Sequence, residues 1–374
     1  MGAPDPIQAA LAGLYRQHAS RLPPDTIWFD SHTHTGHNDP DGFKATPEDI
    51  VGGLDAAGQH HALVFSTMEP DGYPPANDRV IAEAAASGGR LRALARLDPH
   101  DDPVTEARRC LEAGAVGLKL HPRAERFEMH APAVEDIVAF ADEHRLPIVI
   151  HAGRGIPALG RDTVELARRH PGARLILAHA GISDLSWIWR DARELPNLFF
   201  DTAWWNVADL VALFAEVPPG HILYASDMPY GHPLFNGLAL IRIGLAVGLE
   251  PEVIAQMAGG HIAHLLDGGE PLDLGPAPGP PRVPPPAMPP RVVAHLTGAV
   301  ARAMGGGDPT EPLALARLAC DVPEDDPERP LLAVAEEFIA ASEAACDGLP
   351  KTLRAVVGPA ISASLIAGTP SVPV

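Results

Sequence analysis

Apolar runs of six to nine residues recur through the first 230 positions, each followed by a polar turn and an amphipathic stretch. They are residues 27–34 (IWFDSHTH), 61–68 (HALVFSTM), 91–99 (LRALARLDP), 115–122 (AVGLKLHP), 147–153 (PIVIHAG), 174–181 (RLILAHAG), 198–203 (LFFDTA) and 222–229 (ILYASDMP). Most are apolar on both faces, the pattern of parallel strands covered by helices. Helical signals fill the gaps. Thr46-Pro47-Glu48-Asp49 offers an N-cap Thr, Pro at the first helical position and an acid two further on. Asp102-Pro103 opens another helix and Gly114 closes it. Val134, Ile137, Val138 and Ala141 repeat at helical spacing, as do Leu210, Leu213, Phe214 and Val217 behind a capping Asn206. Eight strands alternating with helices predict an α/β fold, a (β/α)8 TIM barrel. The competing doubly wound sheet usually carries a Gly-rich turn after its first strand, and here that turn reads HTHTGHND.

Beyond residue 270 the pattern changes. Segment 271–290 holds ten prolines in twenty residues and so predicts a stiff, extended linker or surface strap. Residues 291–374 are rich in Ala and Leu with helical patterning. The expected organisation is a barrel over 1–270, a Pro-rich linker over 271–290 and a small helical appendage over 291–374.

Composition narrows the partners. With 28 basic and 48 acidic residues the formal charge is −20. Such a surface repels phosphate backbones and anionic lipid, so neither nucleic acid nor membrane is expected as a partner. No apolar run reaches the roughly 18 residues that span a bilayer. The N-terminal twenty residues lack a basic start followed by an apolar core, so no signal peptide is expected. Three scattered cysteines, Cys110, Cys320 and Cys346, argue for a reducing, cytoplasmic setting rather than a disulfide framework.

The strand ends bring in chemistry. His32 and His34 share one face of the first strand, since residues i and i+2 of a strand point the same way. Alone, such a pair is a metal site or merely a polar strand end. Strand four adds Lys119 and His121, strand five His151, strand six His179 and strand eight Asp227. In a barrel these C-terminal ends surround one mouth. Imidazoles and a carboxylate converging there suit zinc, and also iron, manganese or cobalt.

The ordered set DSHTHTG, GLKLHP, IVIHAG, LILAHAG and ILYASDMPYG resembles the amidohydrolase superfamily, in its amidohydrolase-related branch of hydrolases and non-oxidative decarboxylases. The resemblance spans about residues 27–267. It implies a divalent metal, Zn2+ first and Mn2+, Fe2+ or Co2+ as alternatives, held by His32, His34, His151 and Asp227. It implies that His179 contacts substrate or the activated water, or ligates a second metal together with a carboxylated Lys119; one metal is the favoured expectation. Two departures stand out. The last barrel helix ends in GGHIAHLL (259–266) rather than the family's N-x-x-R/K-L, and residues 291–374 have no counterpart in the family.

On this reading Asp227 and His179 are the catalytic residues. Asp227 takes a proton from water and returns it to the leaving group, while His179 stabilises the developing oxyanion. Arg154, His121, Trp204, Trp205 and Tyr230 are candidate substrate-binding residues from the strand-to-helix loops. The expected activity is hydrolysis of a small molecule at an amide, lactone or ester-like bond. The alternative is decarboxylation of an aromatic or unsaturated acid. The apolar helices of the tail are expected to pack on the barrel or on a second copy of the chain, as in a homo-oligomer.

Overall fold

The structure is a computed structural model that describes residues 6–153, 156, 158–181, 186–280, 285–347 and 353–374. Eight parallel strands lie in sequence order: β1 (Phe29–Thr35), β2 (His61–Ser66), β3 (Leu91–Arg96), β4 (Gly117–Leu120), β5 (Pro147–Ile150), β6 (Arg174–Leu177), β7 (Leu198–Asp201) and β8 (Ile222–Leu223). The ring closes between its ends. The N–H of Ser31 donates to Tyr224 O (3.0 Å), that of Asp227 to His32 O (2.9 Å) and that of His34 to Met228 O (2.7 Å). This is the (β/α)8 barrel that the alternation predicts. Every strand from β2 to β8 stops two or more residues before the apolar run does. The surplus residues form the mouth, tied to the neighbouring strand by backbone bonds such as His151 N–H to Leu120 O (2.9 Å) and Ala178 N–H to Ile150 O (2.9 Å).

Two apolar layers hold the ring. Inside it, Phe29, Leu63, Phe65, Leu94, Val149, Ile176, Phe199 and Leu223 form one cluster, plugged by Ile262 and Leu265 of the helix His261–Leu266. Outside it, the helices bury their apolar stripes. Helix Pro132–His144 buries Val134, Ile137, Val138 and Ala141, the spacing seen in the sequence. Helix Pro47–Ala57 begins with a full capping box between Thr46 and Asp49 and ends on Gly58 in the left-handed region. Asn206 caps helix Val207–Glu216 by accepting from the Ala208 N–H.

Strand β1 carries an irregularity that matters for the site. Asp30 pairs with Ala62 but the next pair is Thr33 with Val64, so β1 spends one more residue than β2 between these points. That extra residue is a β-bulge, which reverses which side chains face inward. Phe29 fills the barrel below the bulge, and His32 and His34 enter it above, against Phe65 at ring distances of 5.2 and 4.4 Å.

Leu272 of the Pro-rich segment donates its N–H to His261 Nε2 (3.0 Å), and the N–H of Gly279 donates to Ala215 O (2.9 Å), so this strap lies along the barrel. Helix begins at Met288, inside the stretch expected to be linker; Pro289 and Pro290 fall in its first turn, where no N–H is needed. Helices Thr310–Leu318, Arg329–Asp347 and Leu353–Gly368 follow. Val292, Leu296, Phe338, Ile339 and Leu365 belong to the same hydrophobic core as the barrel helices. Among the described residues no helix is long and apolar enough to cross a membrane.

Candidate metal centre and active site

At the mouth the strand ends bring three donor atoms together. His32 Nε2 and His34 Nε2 are 3.2 Å apart, and Asp227 Oδ1 lies 3.2 Å from the first and 3.1 Å from the second. His32 and His34 come from the bulged end of β1; Asp227 follows β8 across the closing seam. Asp227 sits in the left-handed region (φ 59°), as does His179 (φ 59°). Neither is glycine, and such a backbone costs on the order of 1–3 kcal/mol per residue and gathers at functional sites.

Two buried carboxylates shape this corner. Asp201, ending β7, accepts from His32 Nδ1–H through Oδ2 (2.7 Å) and from the backbone N–H groups of His179 (2.8 Å) and Ala203 (3.0 Å) through Oδ1. Asp30 accepts through Oδ1 from the N–H of His32 (3.1 Å) and of Ser226 (2.9 Å), pinning the bulge to the segment after β8. Burial pushes the Asp30 carboxyl up to about 7 and raises Asp201 as well. Neither acid stands out in the sequence reading. The signal for Asp201 was present, because LFFD ends an apolar run in an acid just as the other strands end in histidine. Asp30 gave none, since the bulge that makes it useful follows from pairing with β2.

The donor set fits a divalent cation. With its Nδ1–H committed to Asp201, neutral His32 presents a lone pair at Nε2. That lone pair faces a second imidazole nitrogen and a carboxylate oxygen, an arrangement that needs a positive charge at its centre. Burial, then the charge of Lys119, holds both His32 and His34 well below the usual histidine range, so they stay unprotonated, as ligands must be. Ligand atoms about 2.0–2.1 Å from a tetrahedral ion stand roughly 3.3–3.4 Å apart, close to the edges seen here.

His151 stands apart from these three. Its ring stacks on His121 at 3.8 Å, nearly parallel, and its Nδ1 lies 3.1 Å from His179 Nε2. His179 Nδ1 lies 2.8 Å from Ala203 O, so the neutral ring carries its proton there and offers Nε2 as an acceptor. The His179 ring is 5.4 Å from that of His32, which places the two imidazole groups side by side. Lys119 is fully buried beneath them. Its Nζ has no hydrogen-bond partner among the described residues and stands 4.6 Å over the Phe65 ring; burial, then the Arg96 charge, lowers it to about 7.

The expected substrate-binding residues are spread around the rim. Tyr230 meets His34 edge-on at 5.2 Å and donates its hydroxyl to Asp39 (2.6 Å). Trp204 lies 6.4 Å from the His179 ring, donates its indole N–H to Asp209 (2.8 Å) and packs on Trp205. His121 accepts from the Ala124 N–H (3.2 Å), consistent with a loop-shaping part as well as its stack on His151. Arg154 falls outside the described residues.

A parallel eight-stranded barrel with a histidine, histidine and aspartate cluster at its C-terminal mouth defines a class of enzymes. Residues 29–261, more than half of the chain, match the amidohydrolase family, and the chain belongs to that family. Family members are enzymes that use divalent metals. Solved structures of similar fold include 2,6-dihydroxybenzoate decarboxylase from Rhizobium (15% identity, TM-score 0.53, covering 65% of this chain and 99% of that one). A dihydroxybenzoic acid decarboxylase from Polaromonas, solved with manganese and the inhibitor 2-nitroresorcinol, is also similar (15%, TM-score 0.53, 65% and 97%). So is a probable 2-pyrone-4,6-dicarboxylic acid hydrolase from Acinetobacter baumannii, solved with citric acid (13%, TM-score 0.50, 64% and 99%). No curated protein matches the sequence.

Proposed function

We propose that this chain is a metal-dependent hydrolase of a small molecule carrying an amide, lactone or ester-like bond. The observation that carries the reading is the Asp227 carboxylate. It shares one corner with the His32 and His34 nitrogens, so an acid able to move a proton stands where the cation would be held. His32, His34 and Asp227 would hold the ion, and His151 remains the expected fourth ligand. The ion supplies Lewis acidity and a water acidic enough to lose a proton near neutral pH.

The chain's own groups account for the rest. Asp227 accepts the proton that water loses as it attacks the carbonyl, and passes it to the departing nitrogen or oxygen. His179, with Nδ1–H held by Ala203 O, presents Nε2 as an acceptor that would orient the attacking water. Asp201 keeps both imidazole groups in position. The half-buried indoles of Trp204 and Trp205, with Tyr230, give the substrate an apolar wall. Zinc suits the two imidazole nitrogens and one carboxylate best, with manganese, iron and cobalt as the alternatives.

Decarboxylation of an aromatic acid is the second reading. It is favoured by the fold shared with the two decarboxylases and by the same aromatic wall. The deciding experiment supplies metal-loaded protein with panels of lactones, amides and hydroxybenzoic acids in oxygen-labelled water. Label incorporated into product without CO2 release is the expected result. CO2 release from an acid with no label in the product overturns hydrolysis in favour of decarboxylation.

A further inference from the structure

The C-terminal helices lie outside the residues that match the family, yet the last of them reaches the mouth. Helix Leu353–Gly368 is tied at its end to the two barrel helices that follow β7 and β8. Gly368 packs so closely on helix Val207–Glu216 that a β-carbon there would stand 2.8 Å from Val207 Cγ1. Just beyond, the chain wraps the buried guanidinium of Arg242, from helix Pro233–Ala246. Arg242 donates to Thr369 Oγ1 (2.9 Å), Thr369 O (3.2 Å), Val372 O (2.8 Å) and Pro373 O (3.1 Å). It also donates to His18 Nε2 (2.9 Å), so the N-terminal helix Pro6–Ala19 shares the clamp.

The other end of this helix carries Arg354, whose guanidinium donates to the carbonyl of Pro229. Pro229 is two residues past Asp227, on the segment that continues to Tyr230 and to His232, the cap of helix Pro233–Ala246. Arg354 is exposed, and among the described residues no carboxylate pairs with it. Its recorded partner is therefore a carbonyl of the site loop, where a lone arginine on a surface helix would ordinarily be solvated or ion-paired.

From this geometry we infer that Arg354 is a positioning residue of the site: from outside the family fold it clamps the Asp227–His232 loop, and so sets how firmly Asp227 is presented to His32 and His34. The inference deepens the proposed function by naming what steadies its key acid. The clamp acts on backbone, so it works in metal-free protein as well.

The test uses the full chain and two readouts, with Arg354→Ala and Arg354→Lys. Hydrogen exchange of metal-free protein follows the amides of Asp227, which bonds His32 O, and Gly231, which bonds Asp227 O. Zn2+ affinity is measured by calorimetry. Loss of the clamp in Arg354→Ala should speed exchange at these two amides about tenfold while strand amides in β4–β6 stay as in the unaltered protein, a local rather than global loosening. Zn2+ affinity should fall about tenfold, the lower end of what removal of outer supports costs a metal site. Arg354→Lys, which keeps a donor at that place, should recover part of both. Exchange at Asp227 and Gly231 unchanged in Arg354→Ala overturns the inference. A chain that binds no Zn2+ in any form sinks the hydrolase reading instead, and the exchange result still decides the clamp.

Discussion

Asp201 holds His32 by its ring and His179 by its backbone, through different oxygens of one buried carboxylate. The first bond fixes the tautomer of His32 and leaves Nε2 free to bind a cation. Asp201→Asn keeps the shape but removes the charge that holds the Nδ1 proton. Metal affinity should drop by about 10–100-fold. Titration with Zn2+ and Mn2+ measures it; an unchanged affinity for both would show that Asp201 supports the fold only.

Cation binding should stabilise the chain. An ion present at about 100 times its dissociation constant adds roughly 2.7 kcal/mol. Thermal melts with and without Zn2+ should differ by several degrees in the unaltered protein and by nothing in His34→Ala or Asp227→Asn. Elemental analysis gives the count at the same time. A shift that survives both substitutions would place the ion elsewhere.

Lys119 makes a prediction about pH. Its amine is lowered to about 7 in the folded chain, from an ordinary value near 10.5. Between those values the unfolded chain binds more protons, so this group makes stability rise as pH rises through the window. Lys119→Met removes an unpartnered amine and keeps the length. At pH 7 the metal-free variant should be more stable by about 1–3 kcal/mol, and its stability should climb less between pH 7 and 10. Urea melts across that range test both points. Metal content should stay at one ion per chain; a fall from two to one would make Lys119 a ligand.

His261 acts with the same sign in a lower, acidic window. Its Nε2 accepts from Leu272 at the start of the strap, and burial holds the ring at about 4. Stability from this group is complete above 6.5, the unfolded value, and is lost as pH falls toward 4. His261→Gln can still accept from Leu272 but does not titrate. Relative to the variant, the unaltered protein should lose roughly 2–3 kcal/mol between pH 7 and 4. Parallel losses in the two would exclude His261 as the cause.

Much of the fold was legible in the chain because the barrel repeats one local rule eight times. Thr46, Gly114 and Asn206 mark helix ends by chemistry that acts within a few residues. The site was legible where it too is local: the His32 and His34 pair, and polar residues closing apolar runs. What escaped depends on distant pairing. The β1 bulge arises from register with β2, and Asp30 gains its purpose only when Ser226 comes beside it. His151 turns toward His121 and His179, a matter of packing that spacing does not encode. The tail's reach to Pro229 likewise needed the fold, since 125 residues separate Arg354 from its partner.

The ring's closing joint has a final consequence. β8 is only two residues long, and much of its union with β1 is made by Asp227, Met228, His32 and His34 themselves. The donor atoms therefore sit on opposite lips of the barrel's closing joint. An ion gripped there would act as a rivet, adding its own binding energy to a closure that these backbone bonds already make. Chelation should start the chain opening at that joint, well before the remaining strands part.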